Sequence, residues 1–219
     1  LRGTAWPRLA DLARQTRLAI VPWLNPDGTD RWPEPDTASA PAELCARCTQ
    51  GVALDGTRYT YPAVKNRFPI PPAETAFMGS YYNDAGVNLQ YDIFSPERQP
   101  ETTAWMRYYL DEKPDGVVVF HCNNGSMIGP PSYYLPVGHQ ITESRLAGAV
   151  RLRLQQAGLP QGRMSWAGLP GLGKPYMEQM AATYMVCGAL PVMAELPAGT
   201  SGRPLTCEQM LDIGLLTIE

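Results

Sequence analysis

Two histidines, His121 and His139, are all the imidazole the 219 residues contain, which restricts the site chemistry at once. A three-histidine zinc centre and a two-histidine helical zinc motif cannot be built from this sequence alone. His121 closes the apolar run Gly116-Val-Val-Val-Phe120 and is followed by Cys122-Asn-Asn-Gly-Ser126, a small polar stretch suited to lining a cleft. It reads equally as a site residue or as a hydrogen-bonded structural histidine. Glu195 is the second anomaly, a carboxylate inside Val192-Met-Ala-Glu-Leu196. Buried there it needs a partner or a proton to move, and a dry, apolar cleft raises a carboxyl toward the range that suits a general base. Cys122 adjoins His121, but neighbours on a strand face opposite ways and make a poor nucleophile–base dyad. Cys45-Ala-Arg-Cys48 is a single CxxC, half of a four-ligand zinc site, and reads as a loop with incidental thiols or an opportunistic disulfide. There is no Gly-x-Ser-x-Gly elbow, and Gly168-Leu-Pro-Gly-Leu-Gly173 lacks the Lys-Ser/Thr ending of a phosphate loop.

The elements that would position these residues alternate between strand and helix. Trp6-Pro7 with Leu9 and Leu12 predicts a short helix, and residues 17–24 predict a buried strand ended by Asn25-Pro-Asp-Gly28, with Gly28 in a left-handed turn position. Residues 29–85, interrupted by prolines, read as a long ordered insertion with short strands inside it. Ser95-Pro-Glu97 predicts the opening of a helix that carries Trp105, Met106, Tyr109 and Leu110 and stops at Pro114. Residues 116–120 form a β-branched run of the kind buried on both faces of a parallel sheet. His121 then sits at a strand's carboxyl end, where open α/β sheets bind ligands. Further helices are predicted over 144–156 and 177–187, a buried strand over 189–196, and a terminal helix opened by a Thr206/Gln209 capping box. The pattern is that of one α/β domain spanning 1–219.

Composition narrows the function classes. Eighteen basic against twenty-one acidic side chains, with no Lys/Arg cluster, give no footprint for nucleic acid or an anionic membrane surface. No apolar run reaches the roughly 20 residues a spanning helix needs. Five cysteines without a framework pattern argue against a disulfide scaffold and favour a reducing, cytoplasmic setting.

Four segments in order resemble the zinc metallocarboxypeptidase family and its succinylglutamate desuccinylase and aspartoacylase relatives. They are Asn25-Pro-Asp-Gly28 after its strand, Gly86-Val-Asn-Leu-Gln-Tyr-Asp92, Val117-Val-Val-Phe-His121, and Ala189-Leu-Pro-Val-Met-Ala-Glu195. The resemblance implies a three-layer α/β/α fold around a mixed, mostly parallel sheet. It implies hydrolysis of a peptide or N-acyl amino acid amide bond, with Zn2+ as cofactor, His121 as a metal ligand and Glu195 as the base that activates water at the zinc. Gln90, Tyr91 and Asp92, together with Asn123, Asn124 and Tyr176, would bind substrate. Two family features are missing from the sequence. No His-x-x-Glu motif precedes Asn25, so the expectation is that the first two zinc ligands lie upstream of Leu1. The Asn-Arg pair that clamps a substrate carboxylate falls on Gln90 and Tyr91, which cannot supply the bidentate charge of Arg. Lys65 or Arg67 would be the substitutes. The alternative from another class is a non-catalytic peptide-binding or ligand-binding module with the same fold.

Overall fold

A computed structural model describes residues 6–32, 41–60, 69–123, 127–128, 135–159, 178–197 and 205–219. Among them the chain forms seven α-helices: α1 (Pro7–Gln15), α2 (Pro26–Asp30), α3 (Ala42–Gln50), α4 (Pro100–Glu112), α5 (Val137–Gln156), α6 (Glu178–Cys187) and α7 (Cys207–Ile218). Two small sheets accompany them. The first pairs β1 (Val52–Ala53) with β2 (Thr75–Phe77) in antiparallel fashion. The second has the order β3-β5-β4, from β3 (Gly116–Asn123), β5 (Leu190–Pro197) and β4 (Met127–Ile128). The fold is mixed α/β, and the second sheet carries the chemistry-bearing residues.

β3 and β5 run parallel through eight residue pairs, from Gly116↔Leu190 to Asn123↔Pro197. β4 pairs antiparallel along the other side of β5, with Met127↔Glu195 and Ile128↔Ala194. Side chains alternate across the pleat, so each face of β5 meets different helices. Val192, with Leu190 and Leu196 partly buried beside it, packs on Ala147, Val150 and Leu154 of α5 and Ile213 of α7. Met193, one residue on, packs instead on Met180 of α6 and on Val119 of β3.

Local chemistry explains the helix limits. α5 buries Glu143, Ala147, Val150 and Leu154, a line at helical spacing. It ends in a Schellman arrangement: Gly158 takes a φ of 67°, its N–H donates to Gln155 O at 3.1 Å, and Leu159 N donates to Leu154 O at 2.9 Å. Thr206 Oγ1 accepts from Gln209 N at 3.1 Å while Gln209 Oε1 accepts from Thr206 N at 3.0 Å, the predicted capping box. α4 closes on Lys113, held at a left-handed φ of 45° just before Pro114.

Several expectations are corrected. Residues 17–24 form no strand; Leu18, Ile20, Val21 and Trp23 are exposed, and only Leu24 packs into the cluster of Ile93, Trp105 and Ala182. Apolar content alone does not make a strand where no described neighbour supplies a ladder, and Pro22 has no N–H to give one. β3 is not buried on both faces. It is one of the two edge strands of the described sheet, and Val118 and Phe120 stand 43% and 42% exposed on the face where α5 and α7 pack over β5. The helix expected from Ser95 begins at Pro100, because Asp92 closes a turn first: Ser95 N donates to its backbone O at 3.0 Å and Gln99 N to its Oδ2 at 2.7 Å. Gly28 is not left-handed but helical, inside α2 with Asn25 as the N-cap. An added Cβ there would meet Ser80 O at 2.4 Å, so close approach, not φ, demands glycine.

The 29–85 stretch is ordered where described and holds short strands, β1 and β2, as expected; it also holds α3, which proline content concealed. It is tied to the Asn25 turn. Asn25 Nδ2 donates to Ser80 O at 3.0 Å, Asp84 N donates to Asp27 Oδ2 at 2.9 Å, and Arg31 donates to Tyr82 O at 2.8 Å and pairs with Asp84.

Candidate functional site

The residues brought together are His121, Glu195 and Gln90. Parallel register sets His121 opposite Glu195 at the carboxyl ends of β3 and β5. The pair follows Val119↔Met193 by one strand period, so both side chains lie on the face that α6 covers. Two side chains directly opposite on neighbouring strands are close enough to share a ligand or a proton. Glu195 is 7% exposed and His121 half-buried. Glu195 is thus a buried carboxylate set opposite an imidazole across the β3–β5 pair.

Gln90 reaches this pair from another segment. Asn88, buried at 1% exposure, caps the short 3-10 turn Leu89–Tyr91: its Oδ1 accepts from Gln90 N at 3.1 Å and its backbone O from Tyr91 N at 3.0 Å. The turn packs against α6. Gln90 Nε2 then stands 3.3 Å from His121 Nδ1, while Gln90 Oε1 is buried without a hydrogen-bond partner among the described residues.

The other sequence-predicted residues fall as follows. Asp92 is wholly buried, and its Oδ2 holds Gln99 N at the entry to α4; as placed it has no surface to offer a substrate. Tyr91 is half-buried at the end of the 3-10 turn. The backbone of Asn123 pairs with Pro197, one strand period beyond His121. Asn124 and Tyr176, and also Ser126, Lys65 and Arg67, lie outside the described residues. No group of three or more His, Cys, Asp or Glu side chains is assembled among the described residues.

Cys45 and Cys48 are not in a loop. They lie on α3, both buried, and burial pushes both thiols up from the ordinary value of 9.0, aided at Cys45 by the proximity of Cys48. A desolvated thiol is protonated and inert at neutral pH. His139 is on α5, its ring edge-to-face with Tyr184 of α6 at 5.2 Å, a packing role separate from His121. Sequence reasoning passed over Glu143, a carboxylate 4% exposed on α5. The signal was present: it extends the buried line of Ala147, Val150 and Leu154 by one turn.

Compared with protein-family models, with curated proteins and with solved structures, the chain matches none of them.

Proposed function

We propose that the chain is a zinc-dependent hydrolase of peptide or N-acyl amino acid amide bonds, of the metallocarboxypeptidase kind and built on a three-layer α/β/α plan. One observation carries the reading: His121 and the buried Glu195 lie opposite each other at the carboxyl ends of adjacent parallel strands, on one face. That is where open α/β sheets place ligands. An imidazole with a side-chain amide on Nδ1 has the make-up of a metal-ligand histidine with an outer partner. The remaining ligands would come from outside the described residues. Zinc supplies Lewis acidity toward a carbonyl and toward water.

The chain's own residues do the rest. Glu195 takes a proton from the attacking water and returns it to the leaving amine, and its burial beside β4 keeps the carboxylate from bulk solvent. Gln90 and Tyr91 carry no positive charge, and Asp92 is turned inward. A substrate carboxylate is therefore not gripped by this segment, and the amide bond rather than a free C-terminus is the common substrate element.

The test combines metal content with turnover. The full chain supplied with zinc is assayed against peptides and N-acyl amino acids, beside a Glu195→Gln variant. The expected outcome is bound zinc in both proteins and a loss of turnover by at least about 10²-fold in the variant, as for a missing general base. Undiminished turnover in Glu195→Gln would remove Glu195 as the base. A wild-type chain that binds these compounds without zinc and without cleaving them would be the non-catalytic module instead.

A further inference from the structure

We infer that a second copy of this chain docks on the outer face of α5 and α7, with the α5 of each copy lying along the α7 of the other about a two-fold axis. The inference is independent of the hydrolase reading. α7 is apolar on both sides. Ile213 and Thr217 are buried toward the sheet, while Leu211, Leu215 and Ile218 recur at i, i+4 and i+7 on the opposite side, where Leu211 is 61% exposed and Ile218 is exposed too. α5 repeats the pattern. Its buried line runs through Glu143, Ala147, Val150 and Leu154, and the opposite side carries Val137, Ile141, Gly148 and Leu152. Leu152 is 54% exposed, and a Cβ added at Gly148 would meet nothing within 4 Å. A helix with apolar residues all round belongs to a setting that covers both its sides.

Charge and level name the occupant. α5 exposes Arg145 and Arg151, and its one acid, Glu143, is buried; α7 carries Glu208 and Asp212 and no base. Laying α5 on a second α5 would oppose like charges, whereas α5 on α7 pairs unlike ones. Within one copy Arg153 meets Glu219 at 2.6 Å and Ile213 shares a cluster with Ala147 and Val150, so the two helices lie side by side with their C-terminal ends together. A two-fold axis along the helices keeps each residue at its own level and exchanges α5 for α7. Counting back from the Arg153–Glu219 contact at the rise common to both helices, Ile218 falls level with Leu152, Leu215 with Gly148, and Glu208 within one turn of Arg145 on the facing helix. Leu215 then fills the room that Gly148 leaves, and every contact is made twice, as a self-complementary interface requires. His121 and Glu195 lie on the other side of the sheet, under α6, and stay outside this interface.

The test is sedimentation equilibrium of the full chain from about 1 to about 200 μM, the affinity range of a small interface. A reversible monomer–dimer equilibrium is expected, weaker at higher salt. Leu211→Glu and Leu152→Glu, both at exposed positions, abolish the dimer and leave the far-ultraviolet circular dichroism unchanged. Arg145→Glu and Glu208→Arg each weaken association by about 10-fold, because each sets like charges against one another at both symmetric contacts. An equimolar mixture of those two variants regains wild-type association, since in the mixed dimer Glu meets Arg at both. A wild-type chain that stays monomeric over the whole range overturns the proposal, and that result needs no variant to fold. A dimer indifferent to either charge substitution, or a mixture that associates no better than its components alone, places the contact elsewhere and overturns it equally.

Discussion

Gly86 opens the segment that delivers Gln90, and it tolerates no side chain. Its φ is 76°, and an added Cβ would lie 1.9 Å from Ile70 O, whose residue donates its own N–H to Gly86 O at 2.8 Å. Gly86→Ala combines left-handed strain with a backbone clash and is expected to cost about 3 kcal/mol or more, read as a lower urea midpoint. Gly28 shows how far the sequence was legible. Glycine was expected there for turn geometry, but the reason is Ser80 O, a contact made far along the chain that no local pattern encodes. Glu195 shows the same division. Its burial was legible from its apolar neighbours, whereas its opposition to His121 depends on the register of two strands separated by β4, α5 and α6. The Gln90 contact was equally hidden, since a 3-10 turn docking on α6 has no periodicity to read.

Elements governed by local chemistry were the legible ones. β5 and α7 follow from a short apolar run and a capping box, and α5 from its apolar line, although it starts at Val137 rather than Ser144. Thr206→Ala removes the side-chain acceptor for Gln209 N and is expected to cost about 1 kcal/mol. The check is thermal unfolding, where that loss corresponds to a fall of about 2–4 °C for a chain of this size; Thr206→Ser, which keeps the hydroxyl, should lie near wild type. Elements whose identity depends on partners were not legible. Residues 17–24 carry strand-like side chains yet stay exposed, and α3 lies in a stretch whose prolines conceal a helix around Cys45 and Cys48. Its buried thiols then read as packing, with Cys48 O accepting from Ser80 N at 2.8 Å.

Across the whole molecule, stability should fall on the alkaline side in a way that reports these buried groups. Cys45 and Cys48 are raised from 9.0 by burial, and burial also raises Tyr109 from 10.0 against a lowering hydrogen bond from Thr183. Above about pH 9 the unfolded chain loses thiol protons that the native chain retains. The native state then binds more protons than the unfolded state, so the stabilisation present below pH 9 declines as pH rises through the folded values, first from the thiols and then from Tyr109. Urea unfolding between pH 8 and about pH 11 checks this, and a midpoint that holds level across the range would contradict it. Distant parts are also tied together, since Glu219 meets Arg8 of α1 at 3.4 Å and Arg153 of α5 at 2.6 Å. The most consequential tie is β5. Among the described residues β3 and β4 do not pair with each other; each pairs with β5 between them, and β5 follows both in the sequence by way of α5 and α6. During synthesis the sheet, and with it the meeting of His121 with Glu195, is therefore withheld until residues 190–197 have emerged. A nascent chain halted before that strand carries His121 without the residue that faces it, so the pair forms only late in synthesis.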